Sequence, residues 1–283
     1  MGLQMNVEIL DMRGFDSDRA DLQGAGGPHL DLRECAILLD IDGTILDLAP
    51  SPQQVLVPAD LRKTLAQLNA KTSGALALVS GRALTDIDLL FAPLELAAIG
   101  GHGAEWRAAA GGESEMRAKP LDPTFKRKLA AAMSALGPGV LTEDKGYSFA
   151  LHYRLAPERA DAVRAAVADV CSSTEPGTVE ILPGKFVVEI KPAGISKAKA
   201  VRELMQLSPF AKRRPIFIGD DVTDEPVFSV VAGLGGLGFS VGRVDAEVNG
   251  RFTQPQSVRA WLARLAAGID SPGIDRPGTD KAE

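Results

Sequence analysis

The sequence predicts an α/β protein, with a Rossmann-like parallel sheet covered by helices and a smaller α/β domain inserted into it. Two observations predict this class. Short apolar runs such as 36-AILLDI-41 alternate with amphipathic helical patterns towards both ends of the chain, and this alternation is typical of a parallel sheet. The middle of the chain instead reads helix, two strands, helix, two strands, which is typical of a small separate sheet domain.

The core pattern begins with the strand at 36–41 and a helix from Pro58 that places Leu61, Leu65 and Leu68 on one face. Leucines at this spacing form a single apolar stripe, so we expect the helix to pack on the sheet. The other predicted core segments are strands at 75–80, 97–101, 215–220 and 238–242 and helices at 83–91, 196–207, after Thr223 and at 256–268.

The inserted domain is predicted from a helix that begins near Asp122-Pro123 and a hairpin over 140–154. A second helix over 157–173 and a second hairpin over 178–191 follow, the latter turned by Pro183-Gly184. The predicted organisation is therefore a flexible N-terminal tail at 1–30, a core at 31–106 and 193–270, an inserted domain at 107–192 and a C-terminal tail at 271–283.

Composition excludes several classes of protein. The 283 residues carry 31 basic and 37 acidic side chains, and the net charge of -6 would repel nucleic acid and anionic membranes. The two cysteines lack zinc-ligand spacing, and the sequence contains no apolar run long enough to span a bilayer. We expect a cytoplasmic protein whose partner is a small molecule or another protein.

Polar side chains follow several of the predicted core strands. Carboxyl ends of parallel strands share one edge of the sheet, where ligands bind in open α/β folds. Asp40 and Asp42 follow the first strand, Ser80 follows the second, Asp220 and Asp221 follow the strand 215–219, and Lys197 begins the helix after the inserted domain. The sequence therefore predicts that segments up to 180 residues apart bring charged and hydroxyl groups to one rim.

Taken singly, each of these residues has an ordinary structural role. An aspartate after a strand is most often a turn or cap residue, a serine caps a helix, and a lysine is solvated. The combination is what favours a reactive site. Crowded carboxylates repel one another unless a cation lies among them, and Mg²⁺ suits a set of oxygen ligands without Cys or His. An aspartate nucleophile, a metal, a lysine and a hydroxyl predict phosphoryl transfer.

The same residues resemble a known superfamily. The set 40-DIDGT-44, Ser80, Lys197 and 219-GDDVTDE-225 resembles the four motifs of the haloacid dehalogenase phosphatases over about 230 residues. The segment after 97-AAIGGHGAE-105 resembles the α/β cap of that superfamily. Four further strings are similar to those of bacterial trehalose-6-phosphate phosphatases: 99-IGGHGAEWR-107, 149-FALHYR-154, 184-GKFVVEIKP-192 and 217-FIGDDVTDEPVF-228.

The resemblance implies a role for each matching residue. Asp40 would attack phosphorus, and Asp42 would protonate the departing sugar oxygen and then activate water. Mg²⁺ would be held by Asp40, the Asp42 carbonyl and Asp220, with Asp221 or Asp224 supporting its water ligands. The phosphate would contact Thr44, Ser80 and Lys197, with the neighbouring Gly81 and Arg82 included in the substrate site.

The inserted domain offers candidate sugar ligands at its strand ends, Glu143, Lys145, Lys185 and Glu189. Their ordinary role would be as solvated sheet residues, and resemblance to the GKxxxE string of the family favours substrate binding. His102, between glycines, would orient the strand end or contact the sugar.

The resemblance implies Mg²⁺-dependent hydrolysis of trehalose 6-phosphate, with a trehalose-6-phosphate synthase as a candidate partner and no nucleic acid or membrane partner. Two alternatives stay open. One is a phosphatase of the same cap class acting on sucrose phosphate, a glycosyl phosphoglycerate or a hexose phosphate. The other is a non-catalytic phosphosugar-binding module, which would tolerate loss of Asp40 or Asp42.

Overall fold

The computed structural model describes residues 31–49, 54–184, 186–243 and 248–269. The predicted tails at 1–30 and 271–283 lie outside these residues. The chain divides into two compact units, one formed by residues up to Glu115 and from Lys197 onward, the other by Met116–Ser196. Both units are mixed α/β, and the predicted fold class is confirmed.

The first unit contains an eight-stranded sheet in the order β12-β11-β10-β1-β2-β3-β4-β5, in which the six strands from β12 to β3 are parallel and β4 is antiparallel to β3. Its strands are β1 Cys35–Leu39, β2 Leu76–Val79, β3 Ala97–Gly100, β4 Glu105–Arg107, β5 Glu115–Met116, β10 Arg214–Gly219, β11 Leu237–Val241 and β12 Gly250–Phe252. Its helices are α1 Ala59–Lys71, α2 Leu84–Phe91, α5 Lys197–Leu204, α6 Glu225–Gly233 and α7 Pro255–Ala267.

Strand β1 shows why this sheet is covered on both faces. Ile37 and Leu39 point into a core with α1, α2 and α7, whereas Ala36 and Leu38 point into a second core with α5 and α6. Successive strand residues face opposite sides, so a strand buried on both faces must be apolar throughout. Full burial of each large aliphatic side chain contributes roughly 1.5–3 kcal/mol, which makes the two cores the main source of stability of this unit.

The second unit is a four-stranded antiparallel sheet in the order β6-β7-β9-β8 with two helices packed on one face. Its elements are α3 Pro123–Ala135, β6 Leu141–Asp144, β7 Phe149–His152, α4 Ala160–Ser172, β8 Val179–Gly184 and β9 Val187–Pro192. Helix α3 begins where predicted, because the Asp122 carboxylate accepts the N–H groups of Thr124 (2.8 Å) and Phe125 (2.9 Å).

Two details differ from the sequence prediction. The boundary differs at both crossings: residues 107–115, assigned to the inserted domain, belong to the first unit, whose sheet continues past β3 through β4 and β5, and residues 193–196, assigned to the core, belong to the second unit. The expected turn at Pro183-Gly184 is also wrong. Both residues lie within β8, with Pro183 paired to Val188 and Gly184 paired to Val187, so the chain reverses after them.

Leu65→Ala should lower the free energy of unfolding of the first unit by about 2–5 kcal/mol, because Leu65 is fully buried between α1 and the sheet. Both tryptophans, Trp106 and Trp261, lie in this unit, so urea unfolding followed by tryptophan fluorescence measures it. The control is Leu89→Ala, at a leucine 77% exposed on α2, which should change the value by about 0.5 kcal/mol or less. Equal effects would contradict the described core.

Candidate active site

The carboxyl ends of β1 and β10 bring the first two candidate aspartates together. Asp40 directly follows β1, and its N–H donates to the Ile218 carbonyl of the neighbouring strand at 2.9 Å. Asp220 directly follows β10. The Thr44 hydroxyl lies 3.1 Å from Asp40 Oδ2 and 3.1 Å from Asp220 Oδ1, and since it carries one hydrogen it donates to one carboxylate at a time.

Gly43 allows this close approach. It has a φ of 82°, in the left-handed region that favours glycine, and a Cβ built on it would lie 2.1 Å from Asp220 Oδ2. Any other residue at position 43 would therefore displace the Asp220 carboxylate from its present position.

Lys197 joins the two aspartates to a third. It is the first residue of α5 and is buried, and its Nζ donates to Asp40 Oδ1 at 2.7 Å and to Asp224 Oδ1 at 2.8 Å. Asp224 is held from the other side, because its Oδ2 accepts the backbone N–H groups of Asp220 and Asp221 at 3.1 Å each. Both oxygens of Asp224 are thus engaged.

Burial dominates the electrostatics of this cluster. Removal from water raises the pKa of Asp40, Asp220 and Asp224 to about 6, against the pull of Lys197 on Asp40 and Asp224. Burial opposes the charge of Lys197 too, but the carboxylates of Asp40 and Asp224 outweigh it and raise the lysine pKa. The lysine is therefore a permanent cation that compensates only part of the acidic charge.

The cluster fits a hard divalent cation. Asp40, Asp220 and Asp224 each offer a carboxylate oxygen, and these atoms lie within 4.8 Å of one another. The donors are all oxygen, as Mg²⁺ and related ions prefer, and a cation would offset the acidic charge that Lys197 leaves.

Two other residues predicted at the metal site, Asp221 and Asp42, have carboxylates with partners outside this acidic cluster. The Asp42 backbone carbonyl, which is the atom predicted to bind the metal, stays a prediction. The Asp221 carboxylate is exposed and accepts the Val222 N–H at 2.7 Å, where it caps the short 3₁₀ turn Val222–Asp224. The Asp42 carboxylate is held by Arg82, whose Nε and Nη2 each donate to one of its oxygens at 2.6 Å. Arg82 is thus in contact with Asp42, and its predicted place in the substrate site stays a prediction.

The segment after β2 carries the next candidates. Ser80 is buried, and its hydroxyl accepts the Arg82 N–H at 3.1 Å. His102 lies against Gly81, because a Cβ on Gly81 would be 2.4 Å from His102 Nε2. The imidazole thus packs directly on the residue between Ser80 and Arg82.

Three of the sugar-binding candidates lie on the sheet of the second unit. Lys145 Nζ is 3.1 Å from Glu189 Oε2, and Glu143 lies in register with Ala150, which in turn pairs with Glu189. Glu143 itself contacts His152 Nε2 at 2.9 Å. Lys185 lies outside the described residues.

Sequence reasoning missed Ser148. This serine is fully buried and donates to Glu189 Oε1 at 2.6 Å, so both Glu189 oxygens are engaged on the face opposite α3 and α4. A signal was present in the alternation of Ser148 with the core residues Phe149 and Leu151, which places it on the same face as Ala150.

Comparison with known proteins agrees with the motifs. The family model described as trehalose-phosphatase matches residues 38–256. The chain belongs to the trehalose-phosphatase family. A probable trehalose-phosphate phosphatase of Sinorhizobium fredii is 43% identical over 83% of this chain and 89% of its own length. The trehalose-6-phosphate phosphatase of Escherichia coli is 37% identical over 83% of this chain and 87% of its own length.

Two further similarities concern fold and chain organisation. The C-terminal domain of a Candida albicans trehalose-6-phosphate phosphatase superposes with a TM-score of 0.72 at 19% identity, over 84% of this chain and 94% of that one, which shows the same fold. A bifunctional trehalose-6-phosphate synthase/phosphatase of Thermoproteus tenax is 34% identical over 69% of this chain and 27% of its own length. Haloacid dehalogenase phosphatases use a divalent metal, consistent with the acidic cluster. Within the described residues, no helix combines the length and apolar character that crossing a bilayer requires.

Divalent metal should stabilise the protein more at pH 8 than at pH 5. The pKa of Asp40, Asp220 and Asp224 is about 6 in the folded chain and about 4 when unfolded, so the folded state binds more protons between these values. The free energy of unfolding of metal-free protein should therefore fall as pH rises through this window. Above it the carboxylates are charged and ready to bind a cation.

The measurement is the increase in Tm when Mg²⁺ is added to chelator-treated protein at each pH. Asp220→Asn removes one charged ligand and should reduce the increase at pH 8, whereas Asp60→Asn, at an exposed residue of α1, should not. The same increase at both pH values would contradict metal binding at these carboxylates.

Proposed function

We propose that this chain hydrolyses trehalose 6-phosphate to trehalose and inorganic phosphate through a phosphate ester formed on Asp40. The observation that carries this proposal is the buried Asp40 carboxylate, 2.7 Å from Lys197 Nζ, in a chain of the trehalose-phosphatase family. Relatives at 43% and 37% identity bear the phosphatase name over most of their length. Together these support a phosphoric monoester hydrolase with this substrate, the final step of trehalose synthesis.

In the proposed reaction Asp40 Oδ attacks phosphorus and the bond from phosphorus to the sugar oxygen breaks. Asp42 gives its proton to that oxygen, which leaves as the trehalose hydroxyl. A water then attacks phosphorus, Asp42 takes a proton from it, and the bond to Asp40 breaks to release phosphate. Attack requires ionised Asp40, and its pKa of about 6 in the metal-free chain makes this form abundant at neutral pH.

The transferred phosphoryl group carries negative charge, so the site must bind it with donors. Lys197 supplies a permanent cation, and Thr44 and Ser80 supply hydroxyl groups. Because the Ser80 oxygen already accepts the Arg82 N–H, its own hydrogen is kept for another acceptor. Phosphate monoesters hydrolyse so slowly in water that such a site must lower the barrier by more than about 20 kcal/mol, chiefly by positioning and charge stabilisation.

The proposed metal is Mg²⁺, held by Asp40, the Asp42 carbonyl and Asp220. Asp224 is the less suitable direct ligand, because its oxygens are engaged by Lys197 and two backbone N–H groups, and we assign it the task of holding the lysine and the 220–221 backbone. The Asp221 carboxylate is exposed and caps the turn Val222–Asp224, so we do not assign it a direct bond to the metal. When bound, Mg²⁺ would neutralise charge on the phosphate and lower the pKa of its carboxylate ligands.

The polar face of the second unit is the proposed sugar site. A disaccharide presents hydroxyls that need paired donors and acceptors, and Lys145 and Glu189 form such a pair at 3.1 Å, with the buried Ser148 holding Glu189 at 2.6 Å. Glu143 lies beside them, and Lys185 completes the predicted set from outside the described residues. This set of groups favours trehalose 6-phosphate over a hexose phosphate, because a disaccharide has more hydroxyls that can form hydrogen bonds with them.

A synthase that makes trehalose 6-phosphate is the proposed source of the substrate. The Thermoproteus tenax relative carries both activities in its name, which supports a functional connection between the two steps. A cytoplasmic location stays a prediction from the sequence.

Asp40→Asn should reduce phosphate release from trehalose 6-phosphate by about 10³-fold or more, because an amide cannot form the phosphoester. Release by the unaltered chain should require added Mg²⁺ after chelation. The assay measures phosphate from trehalose 6-phosphate, sucrose 6-phosphate and glucose 6-phosphate, with the exposed Asp60→Asn as matched control. Equal rates on all three esters would favour the broader sugar phosphatase, and tight binding of the ester without hydrolysis would favour the binding module.

Glu189→Gln should raise KM for trehalose 6-phosphate about 10-fold or more with a smaller change for p-nitrophenyl phosphate, because the amide weakens bonds to sugar hydroxyls and leaves the phosphate site intact. Steady-state kinetics on both substrates measure the difference. The matched control is Asp161→Asn, at a 97% exposed side chain of α4 in the same unit. Equal changes on both substrates would contradict a sugar role for this face.

A further inference from the structure

The contact between Arg82 and Asp42 is not explained by phosphate binding. Arg82 Nε lies 2.6 Å from Asp42 Oδ2, and Arg82 Nη2 lies 2.6 Å from Asp42 Oδ1. The arginine side chain is 12% exposed and the aspartate 30% exposed. Two parallel charge-assisted bonds fix both the position and the plane of a carboxylate, which a single bond from lysine cannot do.

The backbone of Arg82 and its neighbours makes several hydrogen bonds, which fix the position of the Arg82 Cα. Its N–H donates to Ser80 Oγ at 3.1 Å, and its carbonyl accepts the Gly101 N–H at 2.8 Å. The Ser80 carbonyl accepts the His102 N–H at 3.0 Å. At the start of α2, the Leu84 N–H donates to Glu105 Oε1 at 2.9 Å.

Three of these partners, Gly101, His102 and Glu105, come from one short segment, residues 100–105, which we call the brace. His102 within it has a φ of 55°, between Gly101 at 56° and Gly103 at 102°. A left-handed conformation is uncommon outside glycine, although histidine adopts it more often than most residues do. It puts the imidazole against Gly81, where a Cβ would lie 2.4 Å from Nε2.

We infer that Arg82 is a positioning residue for Asp42, and that the brace holds Arg82 in place for this task. The inference rests on the proposed function, in which Asp42 carries protons to the sugar oxygen and from water. A general acid must lie within hydrogen-bond reach of the group it protonates, so a residue that fixes its plane controls the proton-transfer steps. Arg82 acts through Asp42 and not through the phosphate.

The first test compares Arg82→Gln, Asp42→Asn and the double variant on trehalose 6-phosphate. General acid–base catalysis as a whole contributes about 10²–10⁴-fold, so Arg82→Gln should lower kcat by at least about 10-fold and by no more than Asp42→Asn does, with little change in KM. In the Asp42→Asn background the same change should cause no further loss, because the group being positioned is gone. Arg82→Lys should restore only part of the rate, since it cannot make the paired bonds.

The leaving group separates positioning from phosphate binding. p-Nitrophenolate leaves without a proton, so its release in the first turnover should fall less than 10-fold in Arg82→Gln, while first-turnover cleavage of trehalose 6-phosphate falls by the full factor. Rapid-quench measurements give both rates. Equal losses on the two esters with a raised KM would show that Arg82 binds phosphate, and additive losses in the double variant would also overturn the inference.

A second pair of variants tests the role of the brace. Gly81→Ala should force its new Cβ against His102 and lower kcat on trehalose 6-phosphate, and Gly81→Ala combined with His102→Ala should recover activity relative to Gly81→Ala alone. Tm of each variant separates unfolding from misplacement. A double variant no better than Gly81→Ala would overturn the role of the brace.

Failure of the proposed function would look different. If the unaltered chain releases no phosphate from trehalose 6-phosphate but cleaves glucose 6-phosphate, the proposed substrate is rejected. The comparison of Arg82→Gln, Asp42→Asn and the double variant is then made with glucose 6-phosphate. If Asp42→Asn is fully active on the ester that is cleaved, both Asp42 as acid and Arg82 as its positioning residue are rejected.

Discussion

The site depends on one buried ammonium group placed between two carboxylates. Lys197 Nζ lies 2.7 Å from Asp40 and 2.8 Å from Asp224, and all three groups are nearly removed from water. Charges are costly to bury, and such a set persists only when every member is paired and hydrogen-bonded. The elements that carry these residues come from separate parts of the chain: Asp40 follows β1, Lys197 begins α5 and Asp224 lies after β10. The fold must bring them together so that each charge has its partner.

The close approach of these carboxylates to the backbone explains why glycine occupies two positions beside them. Gly43 lets the turn after β1 pass over Asp220, and Gly219 lets β10 end against Asp224, whose Oδ2 would lie 2.5 Å from a Cβ on that glycine. With Asp224 fixed in this way, its carboxylate can hold both Lys197 and the N–H groups of residues 220 and 221. A reactive carboxylate at Asp40 is therefore kept in place by contacts that do not themselves take part in chemistry.

Much of this arrangement could be predicted from sequence because it follows from periodicity. An apolar strand buried on both faces, followed by polar residues, predicts both the parallel sheet and the edge at which Asp40, Ser80 and Asp220 lie, and the fold was confirmed. Short strands such as β4 and β12, with three residues each, carry too little pattern to be recognised. Because β4 and β5 were not recognised as strands of the first sheet, residues 107–115 were assigned to the wrong unit.

The direction in which individual polar side chains point could not be predicted from the sequence. Within 219-GDDVTDE-225 the 3₁₀ turn decides that Asp224 faces the lysine while Asp221 faces solvent, and no property of the two aspartates distinguishes them. The same holds for Arg82, which was predicted to lie in the substrate site and whose side chain contacts Asp42. Ser148 was missed because a serine directly before a strand has many ordinary roles, and only its contact with Glu189 gives it another.

The central claim is that Asp40 becomes phosphorylated during turnover. The most direct measurement is acid quenching of the protein during hydrolysis of trehalose 6-phosphate, followed by borohydride reduction, which converts an aspartyl phosphate into homoserine, and mass spectrometry of the peptides. The account predicts homoserine at position 40, dependent on substrate. Modification at another aspartate, or none while phosphate is being released, would contradict it.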